Sequence, residues 1–158
     1  TEIEAIDHEP DDAEALQLAR RCDVILSCPP TFEERLRLNR AAVAAGVPLI
    51  DAAQWGLGGT LCVFRPGETA CLQCLYPETP PFEERFPVVG AISAALGSLA
   101  ALEAIKILSG CGQVLWGKML NYDGYRAGVS IIQLTRRPDC PCCAGSPALQ
   151  GGLNSRTL

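Results

Sequence analysis

Cysteine carries the clearest chemical signal in this chain. Two Cys-x-x-Cys pairs, Cys71-Leu72-Gln73-Cys74 and Cys140-Pro141-Cys142-Cys143, flank a long and nearly uncharged helical segment. The short loop inside each pair lets both sulfurs turn toward one point about 2.3 Å away, the usual thiolate–zinc distance. Four thiolates from two such knuckles close a tetrahedron. One pair alone reads equally well as a redox dithiol. Two pairs around a domain-sized segment favour one structural zinc ion (Zn²⁺) on Cys71, Cys74, Cys140 and Cys143, with no open coordination position. Disulfides or free thiols are the alternatives. Cys142 is expected to point away, because four ligands already fill the tetrahedron.

The elements that must position these knuckles have the length of one domain. The chain has 158 residues, 48% of them apolar and 20% charged, which is a globular composition. A net charge of −5 argues against nucleic acid as the main partner and gives no support for an anionic membrane surface. Nine cysteines is an odd number in a chain too long to need disulfide stapling. No basic stretch followed by an apolar run opens the sequence. The expected compartment is therefore reducing, the cytoplasm. Cys22, Cys28, Cys62, Cys111 and Cys142 then read as small buried hydrophobes or surface thiols. The chain starts at Thr1 rather than Met, so it is expected to be a piece of a longer protein.

Residues 2–7 alternate polar and apolar, as a strand would. A short helix follows from Pro10 to about Arg20, with acids first and arginines last, as the helix dipole prefers. Val24-Ile25-Leu26 reads as a buried strand. Thr31-Phe32-Glu33-Glu34 is a capping box, and Gly46 a good stop for the helix it opens. Residues 47–50 read as a second strand. Strand, helix and strand in this short span predict a parallel βαβ unit with a right-handed crossover.

Gly56-Leu57-Gly58-Gly59 reads as a hairpin or bulge, since a strand, 60–64, follows it rather than a helix. A proline- and glutamate-rich surface loop covers 75–87. The apolar stretch 88–108 has too short an uncharged core for a membrane span, which needs about 20 residues. It reads as a buried helix, kept thin by Gly90, Ala94, Gly97, Ala101 and Ala104. Residues 115–122 and 127–134 are strands around an Asp123-Gly124 hairpin signal. The fold class is thus α/β: a Rossmann-like mixed sheet in which the parallel unit is continued by partly antiparallel strands, with the cysteine knuckle pair. Residues 1–145 form the domain and 146–158 a flexible tail.

The order of these elements is similar to the C-terminal part of the ThiF/MoeB/HesA family, the bacterial relatives of ubiquitin-activating enzymes. The resemblance is carried by Cys22-Asp23-Val24-Ile25-Leu26-Ser27-Cys28 with Arg35 and Asn39, and by Gly59 at the start of a strand. Gly97-Ser98-Leu99 with Leu102-Glu103-Ala104-Ile105-Lys106, then Tyr122-Asp123-Gly124 and the run from Arg136 to Cys143, complete it. It implies ATP-dependent adenylation, with Mg²⁺, of the C-terminal glycine of a small ubiquitin-like or sulfur-carrier protein. It also implies a homodimer. The acyl-adenylate so formed then accepts sulfur, a thiol or an amine.

Three departures bear on this expectation. The family's Gly-rich phosphate turn and basic residues would lie upstream of this chain. The family aspartate that helps hold Mg-ATP is replaced by Pro30, with Thr31 in the following place. These two residues are the candidate nucleotide contacts, and Glu33 or Asp51 would have to substitute for the carboxylate. The family's crossover-loop cysteine would fall near Glu83, and no cysteine occurs between Leu75 and Gly110. A reaction that stops at the adenylate is therefore expected over a covalent sulfur relay. The alternative is a catalytically weak relative that serves as a binding or dimerisation module. An NAD-dependent oxidoreductase ranks last, because its glycine fingerprint is missing.

Overall fold

Nine elements follow one another in the computed structural model, which describes residues 1–81 and 83–145. They are α1 (Asp12–Ala19), β1 (Ile25–Ser27), α2 (Phe32–Ala45), β2 (Leu49–Trp55), β3 (Gly58–Phe64), α3 (Leu72–Leu75), α4 (Gly90–Ser109), β4 (Lys118–Asp123) and β5 (Gly128–Gln133). The strands form one sheet in the order β1-β2-β3-β4-β5. β1 and β2 are parallel, and every later neighbour is antiparallel. The mixed sheet expected from the sequence is present. The expected tail, 146–158, lies outside the described residues.

Strand alternation divides the core into two layers. Ile50 on β2 and Leu61 and Val63 on β3 face α4. Leu49, Cys62 and Phe64 face α2 and α3. The inner stripe of α4 is Ile92, Leu96, Ala100, Ala104 and Ile107, a helical spacing. Burying each Ile or Leu there contributes about 1.5–3 kcal/mol. The outer stripe of α4 is not buried: Leu102, Ile105 and Leu108 are 49%, 59% and 60% exposed. The helix expected to be buried is thus buried on one face only.

Local rules set the helix ends. The Thr31 side chain accepts from the Glu34 amide, and Glu34 reaches back to the Thr31 N–H at 3.3 Å. α2 ends at Gly46, in the left-handed region at φ 73°. Asp11, rather than Pro10, caps α1 through its side chain. Near the end of α4, buried Glu103 pairs with Lys106 and accepts from the Leu115 N–H at 3.0 Å. Lys106 also donates to the Gln113 carbonyl at 2.8 Å. These contacts fasten the connection from α4 to β4.

Three expectations need correction. Residues 2–7 form no strand, because alternation alone supplies no neighbour to take the hydrogen bonds. Glu4 of this segment instead makes an exposed ion pair with Arg21. β1 is a sheet edge with Leu26 exposed, not a buried strand. β2 and β3 extend past their expected ends to a two-residue loop, Gly56-Leu57, with Gly56 at φ 57°. The β4–β5 hairpin expected at Asp123-Gly124 is present. The Asp123 side chain accepts from the Tyr125 N–H at 3.0 Å, and Ala127, not Gly124, takes the positive φ of 52°.

Gly59 is where β3 and α4 meet most closely. A Cβ there would lie 2.3 Å from Leu96 Cδ1 and 2.5 Å from the Ala53 carbonyl oxygen. Gly97 on α4 has nothing within 4 Å of its Cβ position. Gly59→Ala should therefore destabilise the protein by about 1–3 kcal/mol in urea unfolding. Gly97→Ala should be neutral or stabilising by up to about 1 kcal/mol. Equal effects would contradict this packing.

Candidate metal centre and cleft

The two knuckles meet. The one-turn helix α3 lies between Cys71 and Cys74, and the Ala144 N–H bonds back to the Cys140 carbonyl at 3.0 Å in the second knuckle. The sulfurs of Cys71, Cys74, Cys140 and Cys143 all lie within 4.8 Å of one another, and all four residues are buried. Neighbouring sulfurs are separated by 3.9 Å (Cys71–Cys74), 3.7 Å (Cys71–Cys140) and 3.5 Å (Cys74–Cys143). A tetrahedron with metal–sulfur bonds of about 2.3 Å has edges of roughly 3.8 Å. The set therefore fits a four-thiolate metal ion. All nine cysteines are free thiols rather than disulfides.

The surroundings of the set suit thiolates. The Arg137 backbone N–H points at Cys74 Sγ at 3.5 Å. Arg136 donates to the Gly67 carbonyl at 2.9 Å and to the Cys143 carbonyl, tying the second knuckle to the loop before the first. A hydrogen bond with Cys142 and burial push the Cys71 thiol up. Burial, then Cys74, does the same for Cys143. Four adjacent thiols, two of them held up in this way, become anionic together only where a cation neutralises them. Cys142 is half-buried and stays outside the set. It accepts from Asn39 Nδ2 at 3.2 Å.

A cleft of about 950 Å³ opens where β1 and β2 both end. The Cys28–Thr31 turn forms one wall, with Ala53, Trp55 and Gly97 opposite and Glu83 and Phe86 at the rim. Trp55 and Phe86 stack at 6.2 Å. Carboxyl ends of parallel strands are where open α/β sheets take ligands. Beneath this wall lies a buried ion pair that sequence reasoning did not anticipate. Arg35 Nε donates to Asp51 Oδ1 at 3.0 Å and Arg35 Nη2 to Asp51 Oδ2 at 2.5 Å. The Ser27 hydroxyl donates to Asp51 Oδ1 at 3.0 Å. Phe32 lies against the guanidinium, 4.4 Å from its ring centroid.

The sequence-predicted residues can now be placed. Pro30 and Thr31 both line the cleft, but Pro30 has no polar side-chain atom and the Thr31 hydroxyl is committed to Glu34 at 2.5 Å. Asp51 is 1% exposed and wholly engaged by Arg35 and Ser27, so it does not replace the family carboxylate. Glu33 is 80% exposed and lies 3.8 Å from Arg37. The carboxylates of this turn do not fit a magnesium ion. Burial, then Asp51, raises the Cys28 thiol at the cleft wall and pushes Cys62 up to about 12. Neither is an activated nucleophile.

These features agree with the comparisons. The ThiF family model matches residues 1–142. The chain belongs to the ThiF family. Protein HesA of Leptolyngbya boryana is 40% identical over 145 residues, covering 90% of this chain and 52% of HesA. Adenylyltransferase and sulfurtransferase MOCS3 of Sus scrofa is 37% identical over 143 residues, covering 87% of this chain and 31% of MOCS3. This ThiF-family chain thus spans about half the length of HesA. MccB of E. coli, solved with ATP, superposes with a TM-score of 0.68 at 18% identity, covering 86% of this chain and 43% of MccB. That likeness is one of fold. The Gly59, Arg35 and Glu103 positions behind the sequence resemblance have physical reasons in the structure: a close approach, a buried ion pair and a loop clamp.

Removing one partner of a buried ion pair strands the other charge. Arg35→Met should cost about 3–5 kcal/mol in urea unfolding, and Arg35→Met with Asp51→Leu should recover most of it. A single-variant loss below about 1 kcal/mol would show that Asp51 finds other partners.

Proposed function

We propose that this chain is the C-terminal part of an adenylyltransferase that activates the C-terminal carboxylate of a small ubiquitin-like or sulfur-carrier protein. The observation that carries this reading is the cleft at the ends of β1 and β2, in a chain of the ThiF family. A carboxylate is a poor acyl donor at neutral pH, and its mixed anhydride with AMP is a good one. A carboxylate oxygen of the carrier attacks the α-phosphorus of ATP. The bond from that phosphorus to the bridging oxygen of the β-phosphate breaks, pyrophosphate leaves, and the acyl-adenylate forms. Catalysis of this kind is mostly positioning and charge neutralisation.

In this reading Pro30 and Thr31 give the nucleotide wall its shape, and α2 and the Arg35–Asp51 pair hold that wall still. The phosphate-neutralising groups, Mg²⁺ ligands included, come from the rest of the complete protein. The four cysteines hold one structural Zn²⁺, a reading supported by the tetrahedral sulfur spacing. A homodimer is supported by the exposed Leu102, Ile105 and Leu108 of α4 and by Val129 and Ile131 of β5. α4 is long and apolar enough to cross a membrane, at 20 residues and mean hydropathy 1.7. Its inner face packs on β2 and β3, so we assign it to the core and the dimer rather than to a membrane. A cytoplasmic site with no nucleic-acid partner accords with nine thiols and the charge of −5.

One observation favours a second reading. Pro30 stands where the family has its aspartate, and Asp51, a candidate substitute, is committed to Arg35 and Ser27. A catalytically weak relative acting as a binding or dimerisation module would tolerate this.

ATP–pyrophosphate exchange by the complete protein, with and without a carrier, separates the two. The adenylyltransferase predicts carrier-dependent exchange, at most modestly altered by Pro30→Asp. The weak relative predicts little exchange until Pro30→Asp raises it. Residues 1–158 alone should show none, and tight ATP binding by them would contradict the half-site argument. Elemental analysis should find close to one zinc per chain. Cys74→Ser or Cys143→Ser should lose the metal together with several kcal/mol of stability.

A further inference from the structure

We propose that the four-cysteine site and the cleft wall form one coupled unit, joined by Asn39 and Tyr76, so that metal occupancy sets how ordered the wall is. The proposal rests on the metal reading above. The first joint is Asn39. Its residue is 1% exposed, and its side chain accepts from the Leu72 N–H at 2.9 Å and donates to Cys142 Sγ at 3.2 Å. Leu72 directly follows Cys71, and Cys142 directly precedes Cys143. One buried amide on α2 therefore holds a piece of each knuckle. The second joint is Tyr76, at the exit of the first knuckle. Its N–H donates to the Leu72 carbonyl at 3.1 Å and caps α3. Its ring stands edge-on to Phe32 with centroids 4.7 Å apart, and its centroid lies 5.9 Å from the Arg35 guanidinium.

Both joints act on one face of α2. Phe32, Arg35, Leu36 and Asn39 follow one another at helical spacing. Phe32 and Arg35 line the cleft, and Leu36 shares a buried cluster with Leu72. The first knuckle is the part of this unit least able to hold its own shape. α3 has four residues and no side-chain cap, and a helix that short is not stable in isolation. Four bonds to one metal ion would fix it, and removal of the ion frees Leu72 and Tyr76 together. Asn39 is then left with a buried oxygen that lacks its donor, which it must re-pair or expose. Arg35 loses one of the two rings beside it. The wall loosens in consequence, whereas the layer of β2 and β3 on α4 packs independently of either joint. Coupling of this kind is reciprocal: whatever orders the wall also tightens the metal.

The test is hydrogen exchange on the complete protein, zinc-loaded and then stripped with a chelator, with circular dichroism to follow folding. Stripping should open the amides of both knuckles and raise exchange over residues 28–38 about tenfold, and added zinc should restore both. The α4 amides should change little, which separates coupling from general loosening. Open knuckles with residues 28–38 unchanged would overturn the proposal and leave the metal reading standing. Equal opening of every element in a protein that stays folded would overturn it as well. If the stripped protein unfolds, zinc-loaded Asn39→Ala and Tyr76→Leu decide. Each should raise exchange over 28–38 several-fold and release zinc to a chelator several-fold faster. Tyr76→Phe, which keeps the ring, should match wild type. Exchange over 28–38 like wild type in both Asn39→Ala and Tyr76→Leu would overturn the proposal. A complete protein that holds no metal as purified would overturn it together with the metal reading.

Discussion

The bidentate pair between Arg35 and Asp51 is the interaction on which the geometry of the cleft depends. It joins α2 to β2, takes in Ser27 at the end of β1, and sits directly under the Cys28–Thr31 turn. Three segments that would otherwise meet only through apolar contacts are thereby set at one register. Such a pair adds little net stability, because desolvating two charges offsets their attraction. Its consequence is specificity of arrangement: the guanidinium fork accepts only one placement of the carboxylate. Stacking of Phe32 on Arg35, and of Tyr76 edge-on against Phe32, extends that order toward the first knuckle.

The cysteine set provides the second constraint, on the same face of the sheet. It ties the connection after β3 to the segment after β5, two stretches far apart in the sequence. Asn39 links this unit to α2, one helical turn from Arg35. The cleft wall and the metal site are thus held from adjacent turns of one helix. The cleft itself contributes shape rather than charge. Its acidic residues outnumber its one guanidinium, and that guanidinium is already paired. Among the described residues that line it, none offers an unpaired cation to a polyanion.

How legible this was in the sequence follows from the range of each signal. The capping box at Thr31 and the stop at Gly46 are short-range, and both were read correctly. The knuckles were legible because thiolate chemistry restricts which spacings close a tetrahedron. The parallel unit continued by antiparallel strands followed from element types and crossover rules. Asp51 was not legible, since an acid at a strand end looks the same whether it holds a metal or a buried arginine. Its partner is set by tertiary packing. The outer ends of β2 and β3 were hidden by polar residues and by Gly58-Gly59, where Leu96 needs the space a side chain would fill. Residues 2–7 failed in the opposite sense: they have the pattern of a strand and no neighbour to pair with. The half-exposure of α4 was missed because an apolar run does not say what covers its second face.

The account's central claim is that this chain supplies one wall of a nucleotide site. Its most direct test is a crystal structure of the complete protein with a non-hydrolysable ATP analogue. The nucleotide should lie in the cleft between the Cys28–Thr31 turn and Trp55, with its phosphates met by basic groups from outside residues 1–158. A nucleotide bound elsewhere, with this cleft closed or filled by the protein's own chain, would contradict the account.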